Sequence, residues 1–113
     1  MVALAATDPA QPYGSAVDWP ISEGRPTRVA SAVVLLRDGK PLAWFDYRAH
    51  HLCTFDSGDT GWAQAICDLV KNGELRSAEI RKVNGKNVAE EPDVSETLAS
   101  VGFVESYKGL VYR

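Results

Sequence analysis

The sequence predicts an α+β domain in which two helices cover part of a small, mostly antiparallel sheet, in the order β-β-β-α-β-β-α-β-β. Three observations lead there. Two tight-turn signals, Asp38-Gly39 and Asn84-Gly85, each sit between segments with strand character. Two stretches, one running from Trp62 and one from Pro92, change to apolar spacings of three and four residues. A chain of 113 residues has room for one core and little else.

The first 28 residues carry four of the six prolines, at Pro9, Pro12, Pro20 and Pro26. Proline removes a backbone donor and restricts the residue before it, which excludes a long helix or a central strand there. Residues 1–28 therefore read as an ordered, irregular arm of the same domain, looser from Ser22 to Thr27, and residues 29–113 as the α+β body. Arg28 to Arg37, rich in valine and apolar on both faces toward its end, is the expected central strand. Asp38-Gly39-Lys40 turns the chain into a returning strand, Leu42–Arg48, and Leu52–Phe55 is a third strand beyond the His50-His51 corner. Asp59 or Thr60 is placed to cap a helix striped by Trp62, Ile66, Leu69 and Val70 and closed by Gly73. Ala78–Val83 is a polar-leaning strand, Asn84-Gly85 its turn, and Lys86–Ala89 its short partner. Pro92 suits the first turn of a second helix with Val94, Leu98 and Val101 on one face, closed by Gly102, with Phe103 packing back across the end. The tail pairs Phe103–Glu105 with Leu110–Tyr112 around Tyr107-Lys108-Gly109.

Twelve lysines and arginines against fifteen aspartates and glutamates give a formal charge of −3, which argues against a free-standing module that lives by gripping phosphate backbones. The best apolar stretch, Val29 to Leu36, falls far short of the ~20 residues that span a bilayer. No basic region precedes the N-terminal apolar residues, so the expected location is the cytoplasm, with no membrane partner. Cys53 and Cys67 belong to no closely spaced pair and are expected as buried reduced thiols rather than a disulfide or a zinc site.

No glycine-rich phosphate loop followed by Lys and Ser or Thr occurs, nor a dinucleotide fingerprint, nor a Gly-x-Ser-x-Gly elbow. Neither a cofactor nor ATP hydrolysis is expected of this chain by itself. His50 and His51 are the two histidines; on a strand they point to opposite faces and make a poor pair for one metal ion, while Asp46 or Asp56 is placed to approach one of them. Surface histidines at a corner are the simplest reading, with nucleic-acid contact or acid/base chemistry as alternatives. Asp8 and Asp18 flank rigid turns, where a carboxylate accepts backbone hydrogen bonds and fixes a loop; brought beside His50 or His51 in a pocket, they would instead make a small enzyme.

The most suggestive surface is positive. Lys71, Arg76, Arg81, Lys82 and Lys86 are the candidates for nucleic-acid contact, although Arg81 and Lys82 point to opposite sides of a regular strand, and Glu74, Glu79, Glu90 and Glu91 dilute the field. Trp19, Trp44, Phe45, Tyr47 and Phe55 belong in the core by default or, where uncovered, against bases or a neighbouring domain.

The opening Leu4-Ala5-Ala6-Thr7-Asp8-Pro9-Ala10-Gln11-Pro12-Tyr13-Gly14, followed by Trp19-Pro20, resembles a motif in the last domain of the Lhr family, the large helicase-related proteins of bacteria. Gly24-Arg25-Pro26 with Arg28-Val29-Ala30, then Val33–Leu36, Asp38-Gly39 and Leu42-Ala43, resemble the linker and first hairpin of that domain. Leu52–Phe55 resembles the strand before its helix, and Gly102-Phe103 with Tyr107, Gly109-Leu110 and Arg113 its closing signature. The resemblance implies a parent that is an ATP-dependent helicase translocating on single-stranded DNA, with two motor lobes, a winged-helix region and a glycosylase-like C-terminal extension linked to DNA repair. ATP binding and hydrolase activity would belong to that parent, and a motif that begins almost at Met1 is expected of an excised domain or of a truncated reading frame. Asp8, Pro9, Pro12, Tyr13, Gly14, Trp19 and Pro20 carry over as structural motif residues, and no glycosylase residue carries over. The expected role is a non-catalytic accessory C-terminal domain that contacts DNA weakly or braces other domains. The alternative is a purely structural interaction domain, able to dimerise in isolation; a part in a glycosylase-like site is a third reading.

Overall fold

A strand that is apolar on both faces needs a covering layer on each side. The computed structural model, which describes residues 1–20, 22–55 and 57–113, meets that need with different material on the two faces. The central hairpin is β2, Ala32–Arg37, and β3, Lys40–Asp46, joined where Asp38 and Gly39 both take positive φ, 52° and 79°. Such a turn matches the twist of the paired strands, and asparagine, aspartate and glycine adopt it most readily. The register slips between Leu35 and Leu36, so that Leu36 faces Pro41. A proline beside an irregularity loses no ladder bond it would otherwise donate.

β4, His51–Thr54, returns antiparallel on β3, and a helix α1, Gly61–Lys71, follows. The Asp59 carboxylate accepts from the Gly61 amide at 2.9 Å, while Thr60 makes no side-chain cap bond, so of the two expected caps Asp59 does the work. After α1 come β5, Ala78–Ile80; β6, Lys82–Val83; β7, Lys86–Asn87; a 3-10 turn, Val88–Glu90; and α2, Pro92–Ser100. β8, Val104–Glu105, and β9, Leu110–Tyr112, close the chain.

The α+β class and the expected order hold, with two additions. Val2–Ala5 forms a strand, which we label β1, antiparallel to β2 at the edge of the sheet, inside the segment read as an irregular arm. The single strand expected over Ala78–Val83 is two strands in two sheets. One sheet has the order β1-β2-β3-β4-β6-β7, with β4 and β6 as its parallel pair; the other is β5-β9-β8.

Alternation along the strands sorts the core into two clusters. Leu35, Ala43, Phe45 and Leu52 face α1 and α2, packing with Ile66, Ile80, Leu98 and Phe103. Val34, Leu36, Trp44 and Cys53 face the other way, where the N-terminal arm covers them with Ala6, Tyr13 and Trp19. Cys53 and Cys67 are free, buried and in different clusters, and burial pushes both thiols up to about 11, which keeps them protonated at neutral pH. No helix among the described residues is long and apolar enough to cross a membrane.

Candidate nucleic-acid interface

The site begins with a break in a strand. In Ala78–Val83 the buried positions are 78, 80 and then 83, so the alternation slips by one residue at Arg81. The reason is the neighbours: Ala78–Ile80 pairs with β9, whereas Lys82 and Val83 pair with β4. At the crossing, the His50 carbonyl accepts from both the Arg81 and the Lys82 amides, at 2.8 and 3.1 Å. His50 itself has φ 57°, which turns its carbonyl into that position. Arg81 and Lys82 therefore do not fall on opposite sides as a regular strand would require: both line one cleft.

That cleft, about 690 Å³, runs between the segment from Arg81 to Ala89 and the β8–β9 hairpin. Its charged lining is Arg81, Lys82 and Lys108 against one carboxylate, Glu105, so its sign is opposite to that of the chain as a whole. Arg81 is also paired with Glu79, whereas Lys82 makes no ion pair among the described residues. The far wall is set by Gly109: a Cβ there would collide with the Ile80 carbonyl, so only glycine lets the hairpin lie this close to the strand leading into Arg81. The Ser106 amide donates to the Gly109 carbonyl at 2.8 Å and closes the tip. Tyr107 stands on that tip, 95% exposed, with the Lys108 ammonium 5.9 Å from its ring centroid.

Of the five expected cations, two line the cleft. Lys86 lies 3.7 Å from Glu23 and 4.0 Å from Glu91, and Lys71 and Arg76 are exposed at and beyond the C-terminal end of α1. The sequence places Tyr107 and Lys108 in a turn, with Tyr107 in the closing signature as well, and marks neither as a binding residue. The available signal was an aromatic and a lysine at a hairpin tip, a place with no core for either to enter.

The histidines support this architecture. His51 stands edge-on to the Trp44 ring, and its Nε2 accepts from the Gly85 amide at 3.1 Å, which holds the Asn84-Gly85 turn. An Nε2 that accepts must be unprotonated; burial lowers the imidazole below its ordinary 6.5, Lys82 lowers it further, and Asp46 opposes them. Asp46 does approach, opposite His51 in the ladder, but its carboxylate is occupied by the Ser31 hydroxyl and the Arg48 and Ala49 amides. Asp56 lies outside the described residues.

The turns of the arm have equally local partners. The Asp8 carboxylate accepts from the Ala10 amide at 2.8 Å. Gln11 is fully buried: its Nε2 donates to the carbonyls of Ala6 and Tyr13, and its Oε1 accepts from the Tyr13 amide. The Arg28 guanidinium donates to the carbonyls of Gln11, Tyr13 and Asp8. Trp19 stacks between Tyr13 and Phe55, with centroids 6.1 and 6.2 Å away. Trp44, Phe45 and Phe55 are buried and Trp19 and Tyr47 partly so, as expected of core aromatics. The hydrogen bonds of His50 and His51 among the described residues include neither Asp8 nor Asp18.

No protein-family model matches the chain. Across 99% of its length the chain is 40% identical, in an alignment of 124 positions, to a protein of Mycolicibacterium smegmatis described as an Lhr helicase and probable uracil glycosylase. The chain spans 8% of the length of that relative.

Proposed function

Taking the chain as a small domain of an Lhr-family helicase, we propose that it is an accessory C-terminal domain that contacts the DNA backbone weakly through the Arg81–Lys82 cleft and carries no chemistry of its own. The observation that supports this is the clustering of three cations around one groove on a chain of net charge −3. Phosphates are recognised by such charge, and its release of counterions makes the binding fall with salt. Other domains of the parent are its natural partners, and ATP binding, strand separation and any role in DNA repair belong to the parent. Three phosphate contacts give a slope of log affinity against log salt of about −2 on single-stranded DNA. Fluorescence anisotropy of a labelled oligonucleotide at several salt concentrations measures it. Steeply salt-dependent binding, lost in the Arg81→Ala/Lys82→Ala variant, is expected; no binding at high micromolar chain in low salt would sink the reading.

A second reading, bracing against another domain or a second copy, is favoured by β1. It is a sheet edge on which Met1 and Val2 are exposed, and an unpaired strand edge is a template for another chain. Sedimentation analysis tests the self-association part of it: a concentration-dependent dimer abolished by Val2→Lys supports pairing through this edge, and a monomer throughout removes the second copy.

A further inference from the structure

The cations account for attraction but not for Tyr107. A tyrosine buries a large apolar ring wherever packing allows, and this one is 95% exposed at a turn fixed by Gly109 and by the bonds from Ser106. A single exposed aromatic is ordinary by itself. Its setting is not: it lines the same groove as Arg81 and Lys82, and Lys108 stands over its ring. The close approach of Gly109 to Ile80, the residue before Arg81, couples the position of the ring to that of the two cations.

Resting on the DNA-contact reading above, we infer that Tyr107 is a stacking platform for one unstacked nucleobase, held beside the phosphates that Arg81 and Lys82 neutralise. A duplex offers a protein the edges of its bases, because their faces are occupied by each other, whereas an unpaired base has a free π-face. With the Lys108 ammonium over the ring, the remaining exposed ring surface is what the base covers, and the ammonium adds charge near the adjoining phosphate. Stacking of this kind tolerates any base, so the site selects for unpaired structure rather than for sequence.

The test separates bases from phosphates. A labelled oligothymidylate is compared with the same backbone carrying abasic spacers, against the unaltered chain and the Tyr107→Ala, Tyr107→Trp and Arg81→Ala/Lys82→Ala variants. The inference expects Tyr107→Ala to weaken oligothymidylate binding about tenfold, Tyr107→Trp to retain it, and the abasic strand to bind about tenfold less tightly, with no further loss when Tyr107→Ala meets the abasic strand. Tyr107→Ala binding oligothymidylate as the unaltered chain does, or weakening both strands equally, overturns the stacking role while leaving the phosphate contacts in place if Arg81→Ala/Lys82→Ala still abolishes binding. Equal binding of polyglutamate and oligothymidylate also overturns it, since the groove is then a general polyanion patch. Failure to bind either strand removes the stacking role together with the DNA-contact reading.

Discussion

Two regions of this domain use the same side-chain chemistry to opposite ends. In the N-terminal arm, Tyr13 stacks on Trp19 and Arg28 spends its donors on three backbone carbonyls. At the cleft, among the described residues, Tyr107 stacks on no other ring and Lys82 has no carboxylate partner. What separates a structural cation or aromatic from a presented one is whether the chain supplies its partner, and the irregular part of the arm beyond β1 must supply many, because it lacks the ladder that satisfies the backbone of Val2–Ala5.

That contrast is broken most severely at Gln11. Replacing it with alanine leaves the Ala6 carbonyl and the Tyr13 amide without their buried partner, and we expect a loss of about 3 kcal/mol, measured by denaturant unfolding. Arg28→Ala removes charged donors from a partly buried site and should cost about 2 kcal/mol in the same assay. Tyr107→Ala, by the same measure, should change stability by less than about 0.5 kcal/mol, because the ring covers little of the core. An arm variant as mild as Tyr107→Ala would erase the distinction between the two regions.

The smallest effect concerns pH. His51 has its folded value below the 6.5 of the unfolded chain, so the unfolded state binds the proton more readily. The contribution of neutral His51 is therefore present above pH 6.5 and declines as pH falls from 6.5 toward its lowered folded value. Unfolding curves between pH 7.5 and 5 should show that decline, and His51→Gln should flatten it; an unchanged pH dependence in the variant would remove His51 from the account.

Much of the fold was legible because its signals are local. Asp38-Gly39 and Asn84-Gly85 adopt the positive φ values that such turns require, and Trp62, Ile66 and Leu98 lie in the core where their spacing put them. β1 was not legible: Val2–Ala5 is a short edge strand whose formation depends on β2 presenting a free flank. The break at Arg81 was hidden for a related reason, since which sheet each half joins is decided by β4 and β9, far away in sequence. The pairing of Arg81 with Lys82 on one cleft, and of both with Tyr107, followed from that break and was equally out of reach. The aromatic residues of the core, by contrast, needed only their hydrophobicity to be placed.

We propose the cleft, and not the arm, as the presented surface. Titration of the isotopically labelled chain with oligothymidylate, followed through its backbone amide NMR shifts, tests it most directly. Salt-sensitive perturbations centred on Arg81, Lys82, Tyr107 and Lys108, with the amides around Gln11 unmoved, are the expected result. Perturbations centred instead on Lys71 and Arg76 or on the arm, or none at all, would contradict it.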